Sequence, residues 1–157
     1  AAKLGRRVRR LVLLGGWVQS DTYMKLQFDL WVGLSQTDKR QLARLLLVNG
    51  VSGAFLQAAP PEVVQVALDR FTALLAPGGD RQAALDATID IGALLPQITA
   101  NTLVIGMQHD RLVPPAHCRA LAQGIAGARY EEVNCGHLFA MEQPEAVLRL
   151  FEEHLDA

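Results

Sequence analysis

Leu103-Val104-Ile105-Gly106-Met107-Gln108-His109-Asp110-Arg111-Leu112-Val113-Pro114, followed by Asn134-Cys135-Gly136-His137, is the pair of stretches that decides the fold. An apolar run at residues 102–106 ends in a turn that presents a carboxylate. A second short strand, residues 128–133, ends in a Gly-His turn. In open parallel sheets, functional groups gather beyond the carboxyl ends of the strands. With the two strands as neighbours, the two turns meet. His137 then serves as a base, and Asp110 holds its tautomer and stabilises the imidazolium. Asp110 alone reads as a turn former, and His137 alone as a loop histidine. Their joint placement, with Val113-Pro114 behind one and Gly136 before the other, favours the pair.

Working outward, residues 8–14 form a nearly continuous apolar run, as in a strand covered on both faces. Gly15-Gly16 ends it. From Trp17 onward the pattern is helical. Ser20 or Asp21 is expected to cap a helix carrying Tyr23, Met24, Phe28, Trp31 and Leu34. Ser35 or Thr37 is expected to cap the next, which Gly50 and Gly53 weaken. Pro60-Pro61 opens a third helix and Pro77-Gly78-Gly79 stops it. Asp80 is expected to cap a fourth, and residues 90–96 form a docking turn. Pro114-Pro115 starts a helix after the second strand, and Pro144 starts a last one. The alternation of strands and helices implies a parallel sheet.

The 157 residues are half hydrophobic and carry a net charge of −1, which argues against broad electrostatic binding of nucleic acid. The run Arg6-Arg7-Val8-Arg9-Arg10 reads as a solvated lead into the first strand. Apolar runs are too short to span a membrane, and no membrane partner is expected. Cys118 and Cys135 define no disulfide framework, so a reduced, cytoplasmic setting is expected. No His or Cys spacing matches a metal site. Cys135, beside His137, reads as a small buried hydrophobe and not as a nucleophile. His109 reads as exposed, His117 as helical, and His154 as a charge suited to the end of the last helix.

Residues 106–114 resemble the strand-end acid motif G-x-x-D-x-x-V-P of the α/β-hydrolase fold superfamily. Cys135-Gly136-His137-Leu138-Phe139-Ala140-Met141-Glu142-Gln143-Pro144 resembles its G-H motif, with an acidic-x-Pro helix start. Arg9-Arg10-Leu11-Val12-Leu13-Leu14 is similar to the strand after the nucleophile helix. The resemblance implies the C-terminal part of that fold: three parallel strands with flanking helices and a helical cap insertion. Residues 1–16 would give a core strand, 17–95 the cap, and 96–157 the core bearing acid and His. Asn101 stands where the family often has Pro. The G-x-S-x-G nucleophile elbow is absent. Gly50-Val51-Ser52-Gly53 is its nearest imitation, but it follows a helix, not a strand.

The resemblance implies a hydrolase or acyltransferase acting on an ester, thioester or lactone, with Asp110 and His137 catalytic. Trp17, Phe28 and Trp31 are first of all cap core, and the resemblance implies that some cap residues line an apolar substrate pocket. No cofactor is needed. The start at Ala1 without Met, and the missing elbow, lead us to expect a fragment whose nucleophile lies elsewhere. Its expected partners are an apolar or acyl small molecule and an upstream nucleophile-bearing half or partner chain. Failing those, it would pair with its own copy. On its own the chain is expected to be inactive. The alternatives are a dehalogenase, an epoxide hydrolase or a carbon–carbon hydrolase on the same frame, or a non-catalytic truncated hydrolase acting as a binding module.

Overall fold

In the computed structural model, which describes residues 1–156, the elements run in the order expected for an α/β chain. β1 (Arg10–Leu14) is followed by α1 (Thr22–Thr37), α2 (Lys39–Gly50), α3 (Gly53–Ala58), α4 (Pro61–Leu74) and α5 (Gly79–Asp86). A 3-10 turn at Gly92–Gln97 leads into β2 (Asn101–Met107), α6 (Pro115–Gly124) and β3 (Arg129–Val133). α7 (Phe139–Glu142) and α8 (Pro144–Asp156) close the chain. The sheet order is β1-β2-β3, all parallel. Three parallel strands with flanking helices and a helical insertion between β1 and β2 are the architecture that the sequence resemblance implies.

β2 is the central strand, and alternation divides its side chains between two cores. Leu103, Ile105 and Met107 point to the face shared with Val133, Cys135 and the Val147 of α8. Val104 points to the other face, with Cys118, Leu121 and Ala122 of α6 and Leu95. Both faces are apolar because both are covered, which explains the unbroken hydrophobic run. His154, 5 % exposed, donates from Nε2 to the Asn101 carbonyl at 3.1 Å. Its role is thus to tie α8 to the start of β2, and not to place a solvated charge at a helix end.

The helical insertion is stapled where it leaves and rejoins the sheet. Gln19 and Asp90 form an antiparallel bridge, and Gln19 Nε2 also donates to Asp90 Oδ2 at 3.0 Å. Within it, Asp21 caps α1 by accepting from Met24 N. The cap expected of Ser35 or Thr37 falls instead to Asp38, whose Oδ1 accepts from Arg40 N and Gln41 N. α1 runs on to Thr37, so Ser35 and Thr37 lie inside it and bond back to Val32 and Gly33 carbonyls. A single residue, Asp38, then makes the whole turn between α1 and α2. Asp80 likewise sits in the first turn of α5 and makes no cap hydrogen bond, because left-handed Gly78 (φ +95°) starts that helix earlier. Its charge still favours the helix dipole there. No helix among the described residues is long and apolar enough to cross a membrane.

Within the described residues β1 pairs with β2 alone, so its far edge carries unpaired backbone groups. Beside that edge lies an open apolar groove of about 330 Å³, with Leu11, Leu13, Trp17, Ile91, Leu95 and Leu121 among its walls. An apolar edge of this kind drives association unless covered. Residues 1–157 purified alone are therefore expected to show a light-scattering mass above 17.1 kDa. A monomer with one sharp cooperative melting transition would contradict this.

Candidate active site

Three chain segments meet at the carboxyl end of the sheet. The β2–β3 ladder continues past the strands: Gln108 N donates to Val133 O at 2.9 Å and His109 N to Cys135 O at 3.0 Å. These bonds lace the acid turn to the histidine turn. His109 Nε2 also lies 2.7 Å from Asn134 Oδ1, adding a side-chain link on the exposed side. Asp110 follows at once. Its Oδ1 accepts from Leu112 N and Val113 N, both at 2.8 Å. Pro114, which lacks an N–H, then ends the turn before α6 begins at Pro115.

The second oxygen, Oδ2, lies 2.8 Å from His137 Nδ1. The Asp110 side chain is fully buried, and that of His137 is 32 % exposed. With a carboxylate as acceptor, Nδ1 carries the proton. Nε2 then keeps its lone pair and has no hydrogen-bond partner among the described residues. The arrangement is chemically a base held by an acid, with the working nitrogen available.

Close packing explains two glycines here. Gly15, at φ +59°, ends β1 directly against the histidine. A Cβ there would come 3.0 Å from His137 Cε1 and 2.9 Å from Met107 Cε. A Cβ on Gly136 would come 2.5 Å from the Gly50 carbonyl oxygen and 2.7 Å from Val51 Cα. The end of α2 therefore presses against the histidine turn, and Leu138 N donates to Gly50 O at 2.7 Å.

Glu142 fastens the same junction. Its Oε1 accepts from Gly136 N at 2.8 Å and from Ser52 N at 2.9 Å, and its Oε2 accepts from Ser52 Oγ at 2.5 Å. Ser52, in the stretch that imitates a nucleophile elbow, is thus committed to Glu142 and to capping α3 through Phe55 N. Cys135 is fully buried, and burial, reinforced by Glu142 and Asp110, pushes its thiol up to about 11. It stays protonated at neutral pH, as a structural cysteine does. Burial likewise pushes Cys118 up to about 11, and its Sγ donates to Gly16 O. Among the described residues no cluster of three or more His, Cys, Asp or Glu could hold a metal ion.

Trp17, Phe28 and Trp31 form one aromatic stack. Phe28 is 3 % exposed, 5.8 Å from Trp17 and 5.1 Å from Trp31 between ring centroids. They pack with Met24, Ala83 and Val113, so the stack leans on the acid turn from behind. Sequence reasoning placed Asp110 and His137 but missed what grips them. Glu142 was visible only as an acidic-x-Pro helix start, and Gly15 only as a strand end. Tyr23 and Gln27 of α1, which reach the acid turn, carried no signal beyond helical spacing.

No family model matches the sequence. The chain is 38 % identical over 157 residues to a pyrrolizixenacetamide deacetylase of Xenorhabdus hominickii, covering 99 % of this chain. It spans 59 % of the length of that curated relative. Among solved structures it resembles MGS-M2, an α/β hydrolase enzyme from a Medee basin deep-sea metagenome library, with TM-score 0.85 and 20 % identity. That match covers 95 % of this chain and 56 % of the other. It also resembles the enol-lactonase from Burkholderia xenovorans LB400, with TM-score 0.82, 23 % identity, and 99 % and 61 % of the two chains covered. A hydrolase from Pseudomonas aeruginosa PA01 matches at TM-score 0.79 and 28 % identity, over 97 % and 57 %. The two likenesses below 25 % identity concern the fold.

Gly136→Ala should push the histidine turn off the end of α2 and cost about 1–3 kcal/mol in denaturant unfolding, as overpacking does. Glu142→Ala leaves the N–H groups of Ser52 and Gly136 without their acceptor, at about 1–3 kcal/mol for each group left unsatisfied. Unchanged denaturation midpoints for both variants would show that this junction does not hold the turn.

Proposed function

We propose that this chain, which belongs to the α/β-hydrolase fold superfamily, supplies the acid and the base of a hydrolase acting on an acyl group. The observation that carries the reading is the buried Asp110 carboxylate 2.8 Å from His137 Nδ1. The nucleophile is a Ser hydroxyl on a segment outside these 157 residues. His137 Nε2 takes the hydroxyl proton as the Ser oxygen bonds to the substrate carbonyl carbon. The resulting imidazolium is stabilised by Asp110. It returns the proton to the leaving group as the carbonyl–leaving-group bond breaks. Water repeats the sequence on the acyl-enzyme, giving the free acid and the original Ser. This chemistry needs no cofactor.

An ester-, thioester- or lactone-type carbonyl fits these steps. The names of the relatives support cleavage at an acyl carbonyl: one is an enol-lactonase, and the other is a deacetylase whose name refers to an acetamide, an amide and not an ester. The same reading accounts for the bare edge of β1. The nucleophile-bearing segment pairs along Arg10–Leu14 and covers the groove beside it. Trp17 lines that groove and lies two residues beyond the Gly15 that abuts His137, so it is the aromatic we place where the nucleophile-bearing segment and an apolar substrate meet. Phe28 backs it, with Trp31 beyond.

In the complete protein, His137→Ala is expected to lower kcat on aryl acetates by several orders of magnitude, and Asp110→Asn by about 10⁴-fold, with folding retained. Activity within a few-fold of the parent in His137→Ala would refute the acid–base assignment. Covalent capture of an Asp and not a Ser by substrate would favour dehalogenase or epoxide chemistry instead.

Trp17→Ala should raise KM more for hexanoate than for acetate esters, beside the loss of stability that removing its packing on Phe28 causes. A Phe28→Ala change should mainly destabilise, by about 3–5 kcal/mol as for a buried Phe. Equal KM changes for both chain lengths in Trp17→Ala would make Trp17 packing alone.

A further inference from the structure

The acid turn is gripped from two sides through the same peptide units. In the unit joining Arg111 to Leu112, the N–H donates to Asp110 Oδ1 at 2.8 Å, and the carbonyl accepts from the Tyr23 hydroxyl. In the unit joining Leu112 to Val113, the N–H donates to the same Oδ1 at 2.8 Å, and the carbonyl accepts from Gln27 Nε2 at 2.8 Å. Tyr23 and Gln27 are four residues apart on α1 and therefore share one face. Two neighbouring peptide planes thus carry one hydrogen bond from the cap at one end and give one to the carboxylate at the other. α2 adds to the grip: Arg111 N donates to Asn49 O at 3.3 Å, and the Arg111 guanidinium bonds to the Val48 carbonyl.

Gln27 is only 8 % exposed. A polar side chain buried to that degree needs a partner, and its partner is the acid turn. Tyr23 feels Asp110 as well: burial, then the Asp110 charge, raise its phenol above the ordinary range. The phenol therefore stays protonated and remains a donor. A hydrogen bond received at a peptide carbonyl polarises that unit and strengthens the bond its N–H gives.

We propose that Tyr23 and Gln27 are positioning residues for Asp110. They act through the two peptide units to fix the direction of its carboxylate, and so the orientation of the His137 ring. This rests on the acid–base reading of Asp110 and His137. The cap is then part of the proton-transfer machinery as well as a cover for it.

The test uses the complete protein with Tyr23→Phe, Gln27→Met and the double variant. Tyr23 is 46 % exposed, so loss of its hydroxyl leaves folding intact, and Tyr23→Phe decides the matter should Gln27→Met fold poorly. The readouts are kcat and KM on an aryl acetate, the thermal midpoint, and the proton NMR resonance of the His137 Nδ1–H bonded to Asp110. Each single variant should lower kcat about fivefold, the worth of one ordinary hydrogen bond, with KM held within about twofold. The Nδ1–H resonance should shift or broaden. A shift in thermal midpoint with kcat and the resonance unchanged would overturn the proposal and leave α1 an adhesive helix. His137→Ala in the same assay separates the two readings. If it abolishes turnover while Tyr23→Phe and Gln27→Met do nothing, the positioning role alone falls. If it leaves turnover intact, the acid–base reading falls, and this inference with it.

Discussion

Asp110 holds a full carboxylate with no exposed side-chain surface, and the rest of the site is arranged around that demand. A buried charge costs several kcal/mol unless it is paired and hydrogen-bonded. Oδ1 is satisfied by two N–H groups of its own turn, and Oδ2 by His137. Each solution imposes a further one. The turn must keep two N–H groups convergent, so its carbonyls point outward and need donors of their own. The histidine must present Nδ1, so its turn must sit at one height above the sheet. The charge also reaches its neighbours, helping to hold both buried thiols protonated. One negative charge, aimed at one ring, is left.

The height of the histidine turn is set by packing. Gly15 lets the end of β1 pass beneath the ring, and Gly136 lets the end of α2 touch the turn's backbone. Glu142 then ties that contact by collecting donors from both sides of it. The histidine is thereby referenced to β1, to β3 and to the cap at once. A side chain located by three elements has few alternative positions, which is what a proton-transfer group needs.

The strands and the meeting of Asp110 with His137 were legible because their signals are local. Apolar runs ending in Asp-x-x-Val-Pro or Gly-His announce a strand and the turn beyond it. The division of the cap into helices was legible too, since Gly50, Pro60-Pro61 and Pro77-Gly78-Gly79 punctuate it. The cap of α2 was misplaced because Ser35 and Thr37 are good capping residues, yet the helix before them had no reason to stop. The gripping residues were illegible for a different reason. Glu142 reaches Ser52 across 90 positions, and Gln27 reaches Leu112 across 85. Such bonds depend on how the elements dock, and docking leaves no periodicity in the chain.

The long-range bonds also bear on how the cap can move. A cap that only roofed a pocket would be free to lift. Here the first cap helix holds two carbonyls of the acid turn, and its aromatic stack rests on Val113 of the same turn. The end of the second helix holds the histidine turn through the Gly50 carbonyl. Lifting α1 or α2 as a rigid body therefore breaks bonds that orient Asp110 and His137 themselves. α3, α4 and α5 make no such hydrogen bond to either turn among the described residues. Ala83 of α5 nonetheless packs in the same apolar cluster as Met24, Phe28 and Val113, and Leu68 of α4 in the cluster that Leu138, next to His137, packs against. The hydrogen bonds on the two turns thus come from α1 and α2, and α4 and α5 back those helices with apolar packing, so the outer helices support the site through the inner ones.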